Sequence, residues 1–160
     1  MKFCQIGFMI REESVMENNI FNMKVKEVAE KKPKLFAIDS DDIACVEKIA
    51  VVENYYNIKL PCSYKEFVQQ YGGGYFGFII VFSCDCNGMF YIIDKISVEW
   101  VKKKSFLPVI DLETGDYIGF KIIDGICQSV VSLYSHEEDS FQDIGMDFYE
   151  ILIKYGLKST

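Results

Sequence analysis

The sequence predicts an α+β fold: N-terminal helices, a mainly antiparallel sheet and a C-terminal helix around one core. Three observations carry that prediction. Apolar residues recur at helical spacing until about residue 74, and the chain then changes to short β-rich runs separated by turn residues. Helical spacing returns briefly after Asp94 and again near the end, from Met146. The 160 residues are half hydrophobic and a quarter charged, which fits one domain with its own core and excludes intrinsic disorder.

Each element has a local reason. Glu17 to Lys32 reads as a helix with Ile20, Met23 or Lys24, and Val28 on one face; Pro33 ends it, having no N–H and restricting its predecessor. Ser40, flanked by Asp39, Asp41 and Asp42, reads as an N-cap whose acids complement the helix dipole. Ile43, Val46, Ile49 with Ala50, Glu53 and Tyr56 follow at helical spacing, and Ile58 to Pro61 closes that helix as an extended step. Pro61 then opens the next helix as a first-turn proline, with Tyr64, Phe67, Val68 and Tyr71 as one apolar stripe and Gly72 to Gly74 as its end.

Beyond residue 74, Tyr75 to Phe82 is an apolar β-rich run and Met89 to Ile93 a candidate strand. Asp94 is placed to cap a short helix through Lys103, with Ile96 and Trp100 inward; Met89, Ile92, Ile93, Ile96 and Trp100 also match one longer helix. Phe106 to Ile110, Tyr117 to Ile122 and Val130 to Tyr134 read as strands, joined by turns at Thr114-Gly115-Asp116 and Asp124-Gly125. Met146 to Lys154 reads as an amphipathic helix ended at Gly156. Residues 1–38 form an N-terminal extension and helix, and residues 39–160 the main domain, together one unit. Arg11-Glu12-Glu13 is encodable by a purine-rich ribosome-binding sequence, and Met16 follows at a suitable distance. Residues 1–15 are therefore a candidate misassigned start.

The six cysteines, Cys4, Cys45, Cys62, Cys84, Cys86 and Cys127, are scattered, and Cys84 and Cys86 are too close for an easy bridge. They read as buried thiols in a reducing cytoplasm. The apolar start is broken at Arg11 and lacks a cleavage site, so no signal peptide is expected. The most apolar run, Phe76 to Phe82, is too short to cross a bilayer. A net charge of −7 argues against a nucleic-acid partner, which requires a basic field.

Motifs that carry chemistry are weak. Gly72-Gly73-Gly74-Tyr75-Phe76-Gly77 matches G-x-G-x-x-G, but with a helix before it and a strand after it, the reverse of a dinucleotide site. His136 lies in His-Glu-Glu-Asp-Ser, and no second histidine exists to complete a zinc motif; it reads as a polar residue at a strand end. Cys84-Asp85-Cys86 offers two soft ligands without a second pair. Lys102-Lys103-Lys104 reads as the solvated end of a short helix. No catalytic, cofactor-binding or metal-ligating residue is assigned, and catalysis is not expected.

Charge is uneven. Ser105 to Ile153 holds ten Asp or Glu against Lys121 alone. Asp111, Glu113 and Asp116, with Glu137, Glu138 and Asp139, are the candidate partner-binding residues, since a surface of one sign speeds association with an opposite one.

The stretch Ile49 to Gly74 resembles the SUKH superfamily, which includes bacterial immunity proteins of polymorphic toxin systems and yeast cell-wall assembly regulators. The matching residues are Glu53, Ile58, Leu60, Pro61, Tyr64, Lys65, Phe67, Gly72 and Gly73. Phe106-Leu107-Pro108, Tyr134-Ser135-His136-Glu137 and Phe148 extend the similarity, which runs from about Asp39 onward. Ala50 departs from it where an acid often follows the first Ile, and Tyr71 replaces a frequent Asn. The resemblance implies a SUKH-like scaffold that binds without catalysis. Its bacterial branch implies neutralisation of a cognate protein toxin, often a basic nuclease. The alternative it implies is a regulatory or scaffold protein of the cell-wall kind.

Overall fold

The computed structural model describes residues 18–159. Residues 1–15, the alternative start at Met16, Glu17 and the Cys4 thiol lie outside them. The described chain opens with helix α1 (18–31), as expected, but the buried face differs from the one read in sequence. Phe21, Val25 and Val28 are buried, whereas Ile20 and Met23 are 61% and 72% exposed. Apolar residues line both sides of this helix, and the Phe21 ring decides which is buried: it stacks on Tyr149 at 4.6 Å.

Ser40 is not a helix cap. Ser40–Asp41 is strand β1, and the next helix, α2 (Val46–Tyr56), starts from Cys45 with no side-chain cap. Ile43 and Val46, expected inward, are exposed. Another demand on Asp41 overrides the capping pattern. Its carboxylate accepts bonds from Ser83 Oγ at 2.5 Å, Phe90 N at 2.8 Å and Met89 N at 3.0 Å. Pairing it with a distant loop requires the chain to run extended here.

Helix α3 (Cys62–Tyr71) buries Tyr64, Phe67 and Val68 as its stripe predicts; Pro61 is its N-cap rather than its first turn. Gly72 ends it at φ +78°, where a Cβ would lie 2.1 Å from the Asp41 carbonyl oxygen, so glycine is required. The expected strand Tyr75–Phe82 is two strands, β2 (Gly73–Phe76) and β3 (Ile79–Val81), split by a turn at residues 77 and 78. The triple glycine thus caps a helix and begins a strand.

Met89–Ile93 is not a strand; one bridge joins Ser83 to Tyr91. Two short helices follow, α4 (Ile92–Lys95) and α5 (Val98–Lys104). They do not merge, because Ile96 is extended and its carbonyl accepts the buried Tyr56 hydroxyl at 2.7 Å. Ser97, not Asp94, caps α5, accepting from Trp100 N.

Strands β4 (Phe106–Asp111) and β5 (Tyr117–Ile123) match the predicted runs and turns; β6 (Ile126–Ser135) contains the expected Val130–Tyr134 but begins at Ile126, directly after the Asp124-Gly125 turn. Strand β7 (Ser140–Asp147) was not foreseen in sequence, because it mixes polar residues and Gly145 and buries none of its side chains. It takes Met146 from the expected C-terminal helix. That helix shortens to α6 (Phe148–Ile151), capped by Asp147 and Glu150 together, and runs into a wider turn at Leu152–Gly156.

The seven strands form one antiparallel sheet in chain order. Phe148 is central to the core between sheet and helices, with Tyr64, Phe67 and Phe120 rings all 5.7–5.8 Å away. Two thiols, Cys84 and Cys127, are buried as expected; Cys45, Cys62 and Cys86 are exposed, the first two at helix starts where the side chain faces solvent. Among the described residues no helix is long and apolar enough to cross a membrane.

Candidate functional site

Strand order brings the six acidic candidates together. The β4–β5 and β6–β7 turns lie at one end of the sheet, with β5 and β6 running between them. Asp111 ends β4, and Glu113 and Asp116 follow in the first turn; Glu137, Glu138 and Asp139 come from the second. Asp111 folds its own turn, accepting from Glu113 N at 2.8 Å.

His136 joins the two turns. Asp116 Oδ1 accepts from His136 N at 2.9 Å and lies 2.7 Å from His136 Nδ1. The His136 backbone N–H first, and its ring second, hold the Asp116 carboxyl below its usual range. Gly115, at φ +94°, admits the ring, since a Cβ there would sit 2.8 Å from His136 Nδ1. His136 follows the end of β6, as predicted.

Asp139 is engaged differently. Lys104, the last residue of α5, bonds it, and so does Tyr134 Oη at 2.9 Å; the lysine and then the phenol lower its pKa. One step along β7, Asp143 pairs with Lys121 at 2.9 Å and accepts from Ser132 Oγ. Among the described residues, Asp111, Glu113, Glu137 and Glu138 have no lysine in ion-pair range. The end of the sheet therefore keeps a net negative field. Beneath it lies an aromatic layer, with Tyr134 at 5.2 Å from both Trp100 and Phe141.

Other candidates fall elsewhere. Cys84 is buried and burial pushes its thiol up to about 12, whereas Cys86 is exposed. Asp85 between them accepts from Asp42 N and Asn87 N and meets Lys48 at 3.6 Å, so it ties loop to helix. Among the described residues no group of three or more His, Cys, Asp or Glu is placed to hold a metal ion. Surface depressions of about 560 and 520 Å³ along α1 and the C-terminal turns include none of the six acids.

The residues behind the family resemblance are structural. Glu53 accepts from Leu60 N at 2.8 Å and pairs with Lys65 at 3.3 Å, clamping the step between α2 and α3. Tyr64 Oη donates to the Phe82 carbonyl at 2.6 Å, tying α3 to the end of β3.

These features define a small α+β scaffold whose distinctive chemistry is a charged surface at one end of its sheet. A family model described as SUKH_6, SMI1-KNR4 cell-wall, matches residues 46–152, two-thirds of the chain, and the protein belongs to that family. The match spans α2 to α6 and includes both acidic turns. None of the curated proteins compared matches the chain.

Proposed function

We propose that the protein is a non-catalytic immunity protein that binds and neutralises a cognate bacterial toxin through the acidic end of its sheet. The observation that carries this reading is the convergence of six acids from two turns, four of them without a lysine partner among the described residues. A toxin that grips nucleic acid is basic, so an acidic inhibitor both steers to it and covers its working surface. Family membership supports a binding scaffold. The reading needs no cofactor, metal, nucleic acid or membrane, and it places the protein in the cytoplasm.

The test is co-expression with the toxin gene beside this one. Cells survive and the two proteins co-purify if the reading holds. Reversing Glu113, Glu137 and Glu138 to lysine abolishes rescue while leaving the fold intact. Death with the wild-type protein present, and no co-purification, overturns the reading. The cell-wall description of the matched family favours a second reading, a regulatory scaffold. That protein would capture several host partners and lack a neighbouring toxin gene.

A further inference from the structure

Two edges end the sheet. On one side is β1, two residues long, with Asp41 buried. On the other is β7, with no buried residue; its ladder to β6 is regular over Ser140–Asp143 and bulges before Asp147, where Gly145 takes φ +73°, and among the described residues β6 is the strand it pairs with. Over the regular segment Ser140–Asp143, alternate N–H and C=O groups point away from the sheet, a template for one more strand. Among the described residues no other backbone takes them up.

Charge decides which strand fits. Glu137 to Glu150 contains six acids and no lysine or arginine; Lys104 and Lys121 from neighbouring elements pair with Asp139 and Asp143, which leaves Glu137, Glu138, Asp147 and Glu150 without a lysine partner among the described residues. Two copies pairing antiparallel through β7 would bring the Glu137–Glu138 turn of each toward Asp147 and Glu150 of the other. Parallel pairing in register would set each acid beside itself. Both arrangements place like charges opposite one another, which destabilises a strand pair. A basic strand meets the opposite situation. The edge begins at Ser140, directly beside the acidic turn, so a single segment reaches both.

We propose that the open edge of β7 receives an extended, lysine- or arginine-rich segment of the partner protein as an eighth strand. This rests on the toxin-binding reading and assigns it a mode. Backbone hydrogen bonds to β7 supply register, and Glu137, Glu138 and Asp147 select basic side chains. The acidic end steers the encounter, and the edge slows release.

The experiment uses the full chain and a capped peptide of alternating lysine and valine, seven residues long. A twin with alternate backbone nitrogens methylated cannot complete a ladder. Amide hydrogen exchange is followed through residues 140–147. The expected result is a slowing of about tenfold or more at alternate amides within Ser140–Asp143, the regular part of β7, present with the peptide and absent with its twin. Binding that leaves these amides unchanged, equal binding of the twin, or no binding up to about 1 mM overturns the proposal. Protection that appears without peptide and rises with protein concentration overturns it also, assigning the edge to a second copy. The toxin-binding reading is scored separately. A co-purified toxin complex that rescues cells but leaves β7 amides unprotected overturns the edge proposal alone.

Discussion

Replacing Asp41 with alanine tests why the capping pattern around Ser40 does not make a helix. Asp41 is 9% exposed, and its carboxylate serves three donors: Ser83 Oγ, Phe90 N and Met89 N. Alanine strands all three. Met89 is exposed, so its N–H recovers a water partner at small cost. Ser83 and Phe90 are buried, and each unmet donor there costs about 1–3 kcal/mol. Relief from no longer burying a carboxylate offsets part of this. The net expectation is a loss of about 3–4 kcal/mol, a large share of a domain's whole stability. Asp41→Asn keeps one acceptor oxygen and loses about 1–2 kcal/mol. Ser83→Ala removes a donor together with its need, so the double variant Asp41→Ala with Ser83→Ala costs less than the sum of the singles. Urea unfolding reads these values as shifts of midpoint at constant slope. An Asp41→Ala protein within about 0.5 kcal/mol of the parent refutes the idea that this carboxylate holds the 83–90 loop.

Three further outcomes are expected. Asp85 is buried, which alone raises its pKa, but the N–H groups of Asn87 and Asp42 and the Lys48 ammonium outweigh this and hold it below the ordinary value. Its contribution is then fully present above the unfolded carboxyl pKa of about 3.9 and is lost as pH falls through the lower native value. Asp85→Asn therefore flattens the acid limb of a stability–pH curve; an unchanged limb contradicts the lowered carboxyl that these N–H groups and Lys48 together hold. In native protein, Cys45, Cys62 and Cys86 react with a thiol reagent at pH 8, while Cys84 and Cys127, pushed up to about 12 by burial, react only on unfolding, as peptide mapping will show. Gly72→Ala forces a Cβ onto the Asp41 carbonyl and costs about 3–5 kcal/mol, read by thermal or urea melts.

What was legible in the sequence follows from which signals are local. The Tyr64–Tyr71 stripe, Pro61 and Gly72 act within one helix, and they appear in the structure almost where the spacing puts them. The turns at Gly115 and Gly125 are equally local and set the β4–β6 hairpins. Several of the differences share one cause, a partner distant in sequence. Asp41 answers to Ser83 and Phe90, Phe21 to Tyr149, and Ile96 to Tyr56. Strand β7 exists because β6 pairs with it, since its own residues alternate poorly. For the acidic end, composition showed the charge, but only sheet order put the two turns side by side. The Asp116–His136 link that joins them spans 20 residues and left no trace in spacing.

That division also explains how one scaffold can serve different partners. Glu53, Leu60, Tyr64 and Phe67 spend their side chains on the α2–α3 step and the core, so changing them endangers the fold. Glu113, Glu137 and Glu138 lie in turns and fill no part of the hydrophobic core. Surface substitutions of this kind usually move stability by no more than about 0.5 kcal/mol. The same substitutions alter an electrostatic field that can change association rates by about tenfold or more. The residues that identify the family and the residues proposed to choose its partner are therefore governed by different physics. Membership follows from the first set, and the partner has to be sought through the second.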